Sequence, residues 1–260
     1  MKNMKLLLFL LVTHSCFAFI VGNPAEPNLY HDGLFTDGPK NVNARVGYVS
    51  DYIYRVKIKD KSTDEESENS HLEISTYAAF LSLNFINAID IYSILGSTNI
   101  NSDDLGFVPR KFSWSVGMKA VILKVGNFLF GGDIKYFETI QKPDYYLFDG
   151  VPGFVTNKYT LTYKETQAAL GAAYNFGTLI PYAGATYLEA ELKPTPSYIG
   201  LSIPVWGDEA FGDDTKTQEN RKEWGFYWGL TLLAANTVSL NVESRHFDQR
   251  DVNVSGQVRF

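Results

Sequence analysis

The chain has 260 residues, 20% of them charged and 45% apolar, with a formal net charge of −6. That length suits one large domain or two small ones, and that composition excludes a disordered chain. The acidic balance argues against nucleic acid as a partner. No apolar run after the N-terminus approaches the ~18–20 residues that a membrane helix needs.

The N-terminal stretch MKNMKLLLFLLVTHSCFA reads as a secretory signal peptide over residues 1–18. Lys2 and Lys5 precede an apolar run from Leu6 to Val12, and the small residues Cys16 and Ala18 form a cleavage site. A lipoprotein reading would acylate Cys16, but Thr13-His14-Ser15 is a poor lead-in to such a site. Cleavage after Ala18 removes the only cysteine and takes the formal charge to −8. The exported chain then has no disulfide to rely on. Residues 19–41, rich in Pro, Gly and Asn, read as an irregular lead-in.

From residue 42 to 260 the pattern is that of strands. NARVGYVSDYIYRVKIK puts Ala44, Val46, Tyr48, Tyr52, Tyr54, Val56 and Ile58 on one parity. Asn43, Arg45, Asp51, Arg55 and Lys57 fall on the other. This alternation runs over about sixteen residues, against ~5–6 for a typical soluble strand. The acidic stretch DKSTDEESENS follows as a loop. HLEISTYAAFLSLNF and AIDIYSILG come next, joined near Asn87. Leu72 and Ile74 share one parity while Leu81, Leu83 and Phe85 share the other, so a β-bulge is expected between them.

KFSWSVGMKAVILKVGNFLFGGDIKYFE gives two strands about Gly126-Asn127. YKETQAALGAAYNFGTLIPYAGATYLEAEL gives two more about Gly177-Thr178. EWGFYWGLTLLAANTVSLNVESRHF turns near Ala235-Asn236. DVNVSGQVRF, with Phe260, Val258, Gly256, Val254 and Val252 on one face, is the last strand. Long loops are expected at 60–70, 139–158 and 193–222.

These elements predict an all-β fold, a transmembrane antiparallel up-and-down β-barrel of about ten strands. The count rises to twelve if a long loop hides a hairpin. Connections alternate long and short, as in barrels with long extracellular loops and tight periplasmic turns. In lipid every backbone N–H and C=O must be paired within the protein, so the last strand has to close on the first. Aromatics make up 15% of the chain, and they sort into two belts. Phe128, Phe130, Tyr174, Phe176, Tyr182 and Phe260 fall near one edge. Phe112, Trp114, Tyr136, Trp224 and Phe226 fall near the other, as amphipathic rings prefer at the two lipid interfaces. A soluble β core would also alternate, but it gives no reason for two belts or for strands this long.

Several stretches resemble the chlamydial major outer membrane proteins, in order from about Val21 to Phe260. They are VGNPAEPNLYHDG, LNFINAIDIYSILGSTN, FSWSVGMKA, YKETQAALGAAYNFGTLIPYAGATY and the ending from Glu243 through DVNVSGQVRF. The resemblance implies a porin in a Gram-negative-type cell outer membrane, a homotrimeric channel for small solutes with a structural role in the envelope and contact with host surfaces. Outer-membrane lipid and the barrel-assembly machinery are the further partners it implies. Val254, Val258 and Phe260 would form the C-terminal signal that such machinery reads. The chain departs from the family in its shorter loops and in lacking the cysteines that cross-link the envelope.

An eight-stranded barrel has a lumen filled by side chains, whereas ~16–18 strands enclose an aqueous channel. Ten strands lie near the closed end, so a narrow or partly plugged lumen is expected, with residues 19–41 as the candidate plug. The candidate pore-lining bases are Arg45, Arg55, Lys57, Lys119, Lys135, Arg245 and Arg259. The candidate acids are Asp51, Asp133, Glu165, Glu189, Glu191, Glu223 and Glu243. A wet pore would use them to orient solutes; a closed lumen would use them as ion pairs. The other readings are a non-conducting structural barrel, or an adhesin binding through loop aromatics such as Trp206. A barrel hydrolase built on Ser244 and His246 is disfavoured, because both fall on the lipid face with no acidic partner. His31 and His71 are isolated, and no Cys/His/carboxylate spacing indicates a metal or cofactor site.

Overall fold

The computed structural model describes residues 22–30, 34, 41–60, 71–102, 108–142, 145–148, 151–155, 160–195, 199–203, 207–211, 217–234 and 237–260. The expected signal peptide over residues 1–18 with its Cys16, and likewise His31, Trp206 and the acidic run at 61–70, lie outside them.

The strands in chain order are β1 (Val42–Asp60), β2 (His71–Phe85), β3 (Ile89–Ser102), β4 (Lys111–Val125), β5 (Phe128–Gln141), β6 (Tyr145–Phe148), β7 (Val151–Val155), β8 (Leu161–Tyr174), β9 (Leu179–Pro194), β10 (Ile199–Ile203), β11 (Gly207–Phe211), β12 (Gln218–Asn220), β13 (Trp224–Ala234), β14 (Val238–His246) and β15 (Gln249–Arg259). Ten of them, β1–β5, β8, β9 and β13–β15, form one antiparallel sheet that closes on itself. β1 pairs with β2 on one edge and with β15 on the other, from Arg45 opposite Arg259 to Val56 opposite Gln249. The last strand therefore seals the barrel and leaves no edge to hydrate. Among the described residues no helix is long and apolar enough to cross a membrane.

Hairpins are tight at one end. Ile86 and Asn87 both take positive φ, 49° and 52°, as the central pair of a type I′ turn that the Ala88 N–H closes on the Phe85 carbonyl at 3.0 Å. Asn87 is suited to that region and is tied back by its N–H to Asn84 Oδ1 at 3.1 Å. At the other end the connections are long, except that β14 and β15 meet directly through Phe247-Asp248. The two longest loops do hide hairpins, β6–β7 and β10–β11. These pair with each other, Ile199 opposite Val155, rather than joining the wall. The barrel count therefore stays at ten. The three-residue β12 bridges β1 and β9 at the long-loop end.

The outer face is apolar. Val46, Leu81, Leu83, Ile91, Val116, Met118, Ile134, Leu170, Trp228 and Val242 are all exposed, which suits hydrocarbon as solvent. Phe128, Phe130, Phe176 and Phe260 are exposed toward the short-turn end, and Phe112, Trp224 and Phe226 toward the long-loop end. Tyr182 corrects the belt reading. It points inward, buried, with its hydroxyl on Asn241 and Glu243 at 2.9 Å. Its ring crosses over Gly229, where a Cβ would meet Tyr182 Cζ at 2.3 Å.

The expected bulge in β2 is absent. β2 pairs with β3 in unbroken register from Leu72–Ser102 to Phe85–Ile89, and its inward residues run Leu72, Ile74, Thr76, Ala78, Phe80, Ser82, Asn84. The hydrophobic parity reverses because the lumen itself becomes apolar toward the long-loop end. Ile53, Val56, Ile58, Leu72, Ile74, Ile100, Phe137, Leu161, Tyr163, Leu188, Ala190 and Leu192 form one buried cluster there. The real irregularity lies in β1, between Ile53 and Val56, where the register shifts against both neighbours.

Candidate functional site: the lumen and its plug

Residues 22–30 lie inside the barrel at the short-turn end, around a 3-10 turn at Glu26–Asn28. This segment has two faces. Ala25, Leu29 and Tyr30 pack with Leu129, Ala169, Ala173, Ile180, Tyr182, Tyr227 and Leu233 on the wall of β5, β8, β9 and β13. Glu26 points at the opposite wall. Its carboxylate meets Lys119 Nζ at 2.6 Å and Arg45 Nη1 at 3.3 Å. Burial alone would raise the pKa of Glu26, but Lys119 and Arg45 outweigh it and hold the group below the usual glutamate value.

Further contacts fix the segment. Gly22 N–H donates to Glu243 Oε2 at 3.0 Å, Asn23 Nδ2 to Thr231 Oγ1 at 2.9 Å, and Asn84 Nδ2 to the Pro27 carbonyl at 3.0 Å. Arg259 Nη1 donates to the Tyr30 carbonyl at 2.6 Å, and Arg45 sits 4.8 Å from the Tyr30 ring centroid. Tyr30 and Ser239 share a hydroxyl–hydroxyl hydrogen bond. Gly131 makes the close approach possible, since a Cβ there would lie 2.3 Å from the Pro24 carbonyl oxygen. The plug is thus held mainly through side chains, without a strand of its own.

Above the plug the inward face is charged with both signs. Arg45 also bonds Asp90 and Ser82. Tyr92 donates to both oxygens of Asp133 at 3.0 and 2.9 Å. Lys135 reaches Glu165 at 3.4 Å and Gln167 at 3.1 Å. Arg245 binds Asp248 and donates to Gln167 at 2.7 Å. Asp248, on the β14–β15 turn, folds inward and also accepts from Thr186 at 2.8 Å. These side chains are nearly inaccessible, so the lumen in this state is filled.

Of the expected pore-lining residues, Arg45, Asp51, Lys119, Asp133, Lys135, Glu165, Glu243, Arg245 and Arg259 face inward and are buried. Lys57, Glu189, Glu191 and Glu223 do not. The β1 bulge sends Val56 and Ile58 in and Lys57 out, and leaves Arg55 half-buried at the irregularity. On β9 the apolar cluster takes Leu188, Ala190 and Leu192, so Glu189 and Glu191 turn outward. Glu223 is exposed just before β13 begins. Glu26, Asp90, Asp248 and Asp251 face the lumen and were not among the expected residues. Asp251 was legible, being the next member of the series Arg259, Gln257, Ser255, Asn253. Glu26 carries no such signal, because its segment has no period.

Ser244 and His246 lie on the outer face, 3.1 Å apart. The Ser244 hydroxyl also lies within hydrogen-bond reach of the Asp251 carbonyl, at 3.0 Å.

A closed sheet with an apolar exterior, aromatic belts and a charged interior defines a transmembrane β-barrel of the outer-membrane type. Among proteins of known sequence the chain is similar to the chlamydial major outer membrane porins. It is 22% identical to the major outer membrane porin of Chlamydia pneumoniae over 367 aligned positions, covering 94% of each chain. It is 23% identical to the serovar L3 porin of Chlamydia trachomatis, covering 94% of this chain and 95% of that one. No family model matches it. Among solved structures it is similar to the outer membrane protease OmpT of Escherichia coli, with a TM-score of 0.38 and 10% identity over 85% of this chain and 95% of that one. The translocator domain of the autotransporter NalP from Neisseria meningitidis gives 0.39 and 10%, over 85% and 88%.

Proposed function

We propose that this chain is a non-enzymatic outer-membrane porin for passive diffusion of small solutes, with residues 22–30 as its stopper. The observation that carries the reading is the charged interior. A barrel that served only as a wall could be filled with apolar side chains, and burying ions in place of them brings no stability on its own. Charges of both signs lining a lumen do orient solutes once water enters. The name shared by its relatives points the same way. Val254, Val258 and Phe260 then serve as the assembly signal, and trimer formation and contact with host surfaces belong to the same reading.

The filled lumen favours one second reading, a non-conducting structural barrel. Single-channel recording of the refolded protein in planar bilayers separates the two. The porin reading expects discrete ohmic steps that become larger or longer when residues 22–30 are deleted. A heat-modifiable, folded barrel that conducts in neither form would sink it.

A further inference from the structure

The wall made by β1 and β15 carries a group of buried oxygens that accept no hydrogen bond. Asp51 is 1% exposed, and neither of its carboxylate oxygens has a partner. On the ladder Asp51 faces Asn253, and the next inward residue of β1, Ile53, faces Asp251. Asp251 Oδ1 and Gln249 Oε1 are also without a donor, each on a residue 2% exposed. The other Asp251 oxygen is held by Gln249 Nε2 at 2.6 Å. Four acceptors on neighbouring inward positions therefore face the lumen with no hydrogen supplied to them.

The cations nearest this wall are engaged elsewhere. Lys135 is drawn to Glu165 and Gln167, and Arg245 to Asp248 and Gln167. A buried carboxylate without a partner is costly, and an acceptor-only cluster is relieved by a cation or by an N–H-rich group. Among the described residues no set of three His, Cys, Asp or Glu side chains could hold a metal ion. That favours a weak, exchanging monovalent cation over a resident metal. The rest of the lumen leans the same way. Among the described residues eight buried carboxylates stand against five buried Lys and Arg side chains; loss of the plug with Glu26 would leave seven against five.

We infer that the Asp51–Asp251 wall is a transit site for small monovalent cations of the alkali or ammonium type, and that it makes the lumen cation-selective. This rests on the porin reading and names the solute class that reading leaves open. The lining charge sets which ion is concentrated in a narrow pore.

The test is the reversal potential of the refolded full barrel under a KCl gradient. The expected result is a potential of the sign that K+ permeation gives. Asp51→Asn with Asp251→Asn should lower the K+/Cl− permeability ratio severalfold at similar step size, whereas Glu138→Gln on the outer face should leave it unchanged. Anion preference in the parent, or an unchanged ratio in the double variant, overturns the inference. If no steps are seen, the porin reading fails by itself, and Rb+-soaked crystals then decide the site. Anomalous density beside both carboxylates, lost in the double variant, supports it. Its absence there overturns it.

Discussion

The two ends of the lumen are closed by opposite means. At the short-turn end a separate segment, residues 22–30, is held by ion pairs and hydrogen bonds reaching from Glu26, Asn23 and Tyr30 to the wall. At the long-loop end the wall closes on itself through Ile53, Ile74, Leu188 and their neighbours. The first closure can leave without unpairing a single barrel strand. The second cannot, since its residues are the strands. A solute path therefore has a removable stopper on one side and a packed constriction on the other, with the charged belt between them.

The largest effect should come from breaking the apolar closure. Ile74 is fully buried, and Ile74→Asp places a carboxylate among aliphatic side chains, at an expected cost of more than about 4 kcal/mol. Urea titration of the heat-modifiable band measures this. Resistance equal to that of the parent would mean that the long-loop end is wet, and the contrast between the two ends would collapse.

Breaking the polar closure should be milder and local. Glu26→Gln keeps the shape but leaves Lys119 and Arg45 short of a charge. Removing one partner of a buried pair typically costs about 3–5 kcal/mol, and here the loss falls on docking of the plug. Hydrogen exchange should rise across residues 22–30 while the ten strands stay protected. Acid should mimic the variant. Because the docked Glu26 has its pKa depressed, its contribution is complete above the ordinary value of 4.5 and is lost as pH falls through the lower docked value. The readout is protection relative to the intrinsic, base-catalysed exchange rate: plug protection that held through the acid range and fell only on going from neutral to alkaline pH would contradict the assignment.

The same contrast explains what could be read in advance. Strand number, closure of the last strand on the first, and the lipid face followed from period-two alternation, because one solvent on each side of the wall fixes which parity is apolar. That premise holds over the lower barrel, where Arg45, Lys119 and Arg259 lie between apolar neighbours and face inward. It fails at the long-loop end, where both faces are apolar or half-polar. There Leu72 and Ile74 mimicked a register change, and Glu189 and Glu191 looked like lining residues. The plug was legible only as an irregular lead-in, for Glu26 is positioned by contacts more than ninety residues away in Lys119. Asp248 was hidden for a related reason, since a two-residue turn gives no hint that its side chain folds into the lumen.

The smallest effect sharpens the comparison within a single strand. Arg45 and Lys57 sit on the same parity of β1 and in the alternation look equivalent. The irregularity after Ile53 separates them: Arg45 is 1% exposed against Glu26 and Asp90, and Lys57 is exposed on the outer face opposite His71. An exposed charge with no buried partner contributes little, so Lys57→Gln should shift unfolding stability by no more than about 0.5 kcal/mol. It should also leave the reversal potential where it was, because a charge outside the wall is screened from the lumen. If Lys57→Gln instead moved ion selectivity as far as Asp51→Asn did, the residue would have to face inward. The register shift in β1 would then be wrong, and with it the assignment of Val56 and Ile58 to the apolar closure.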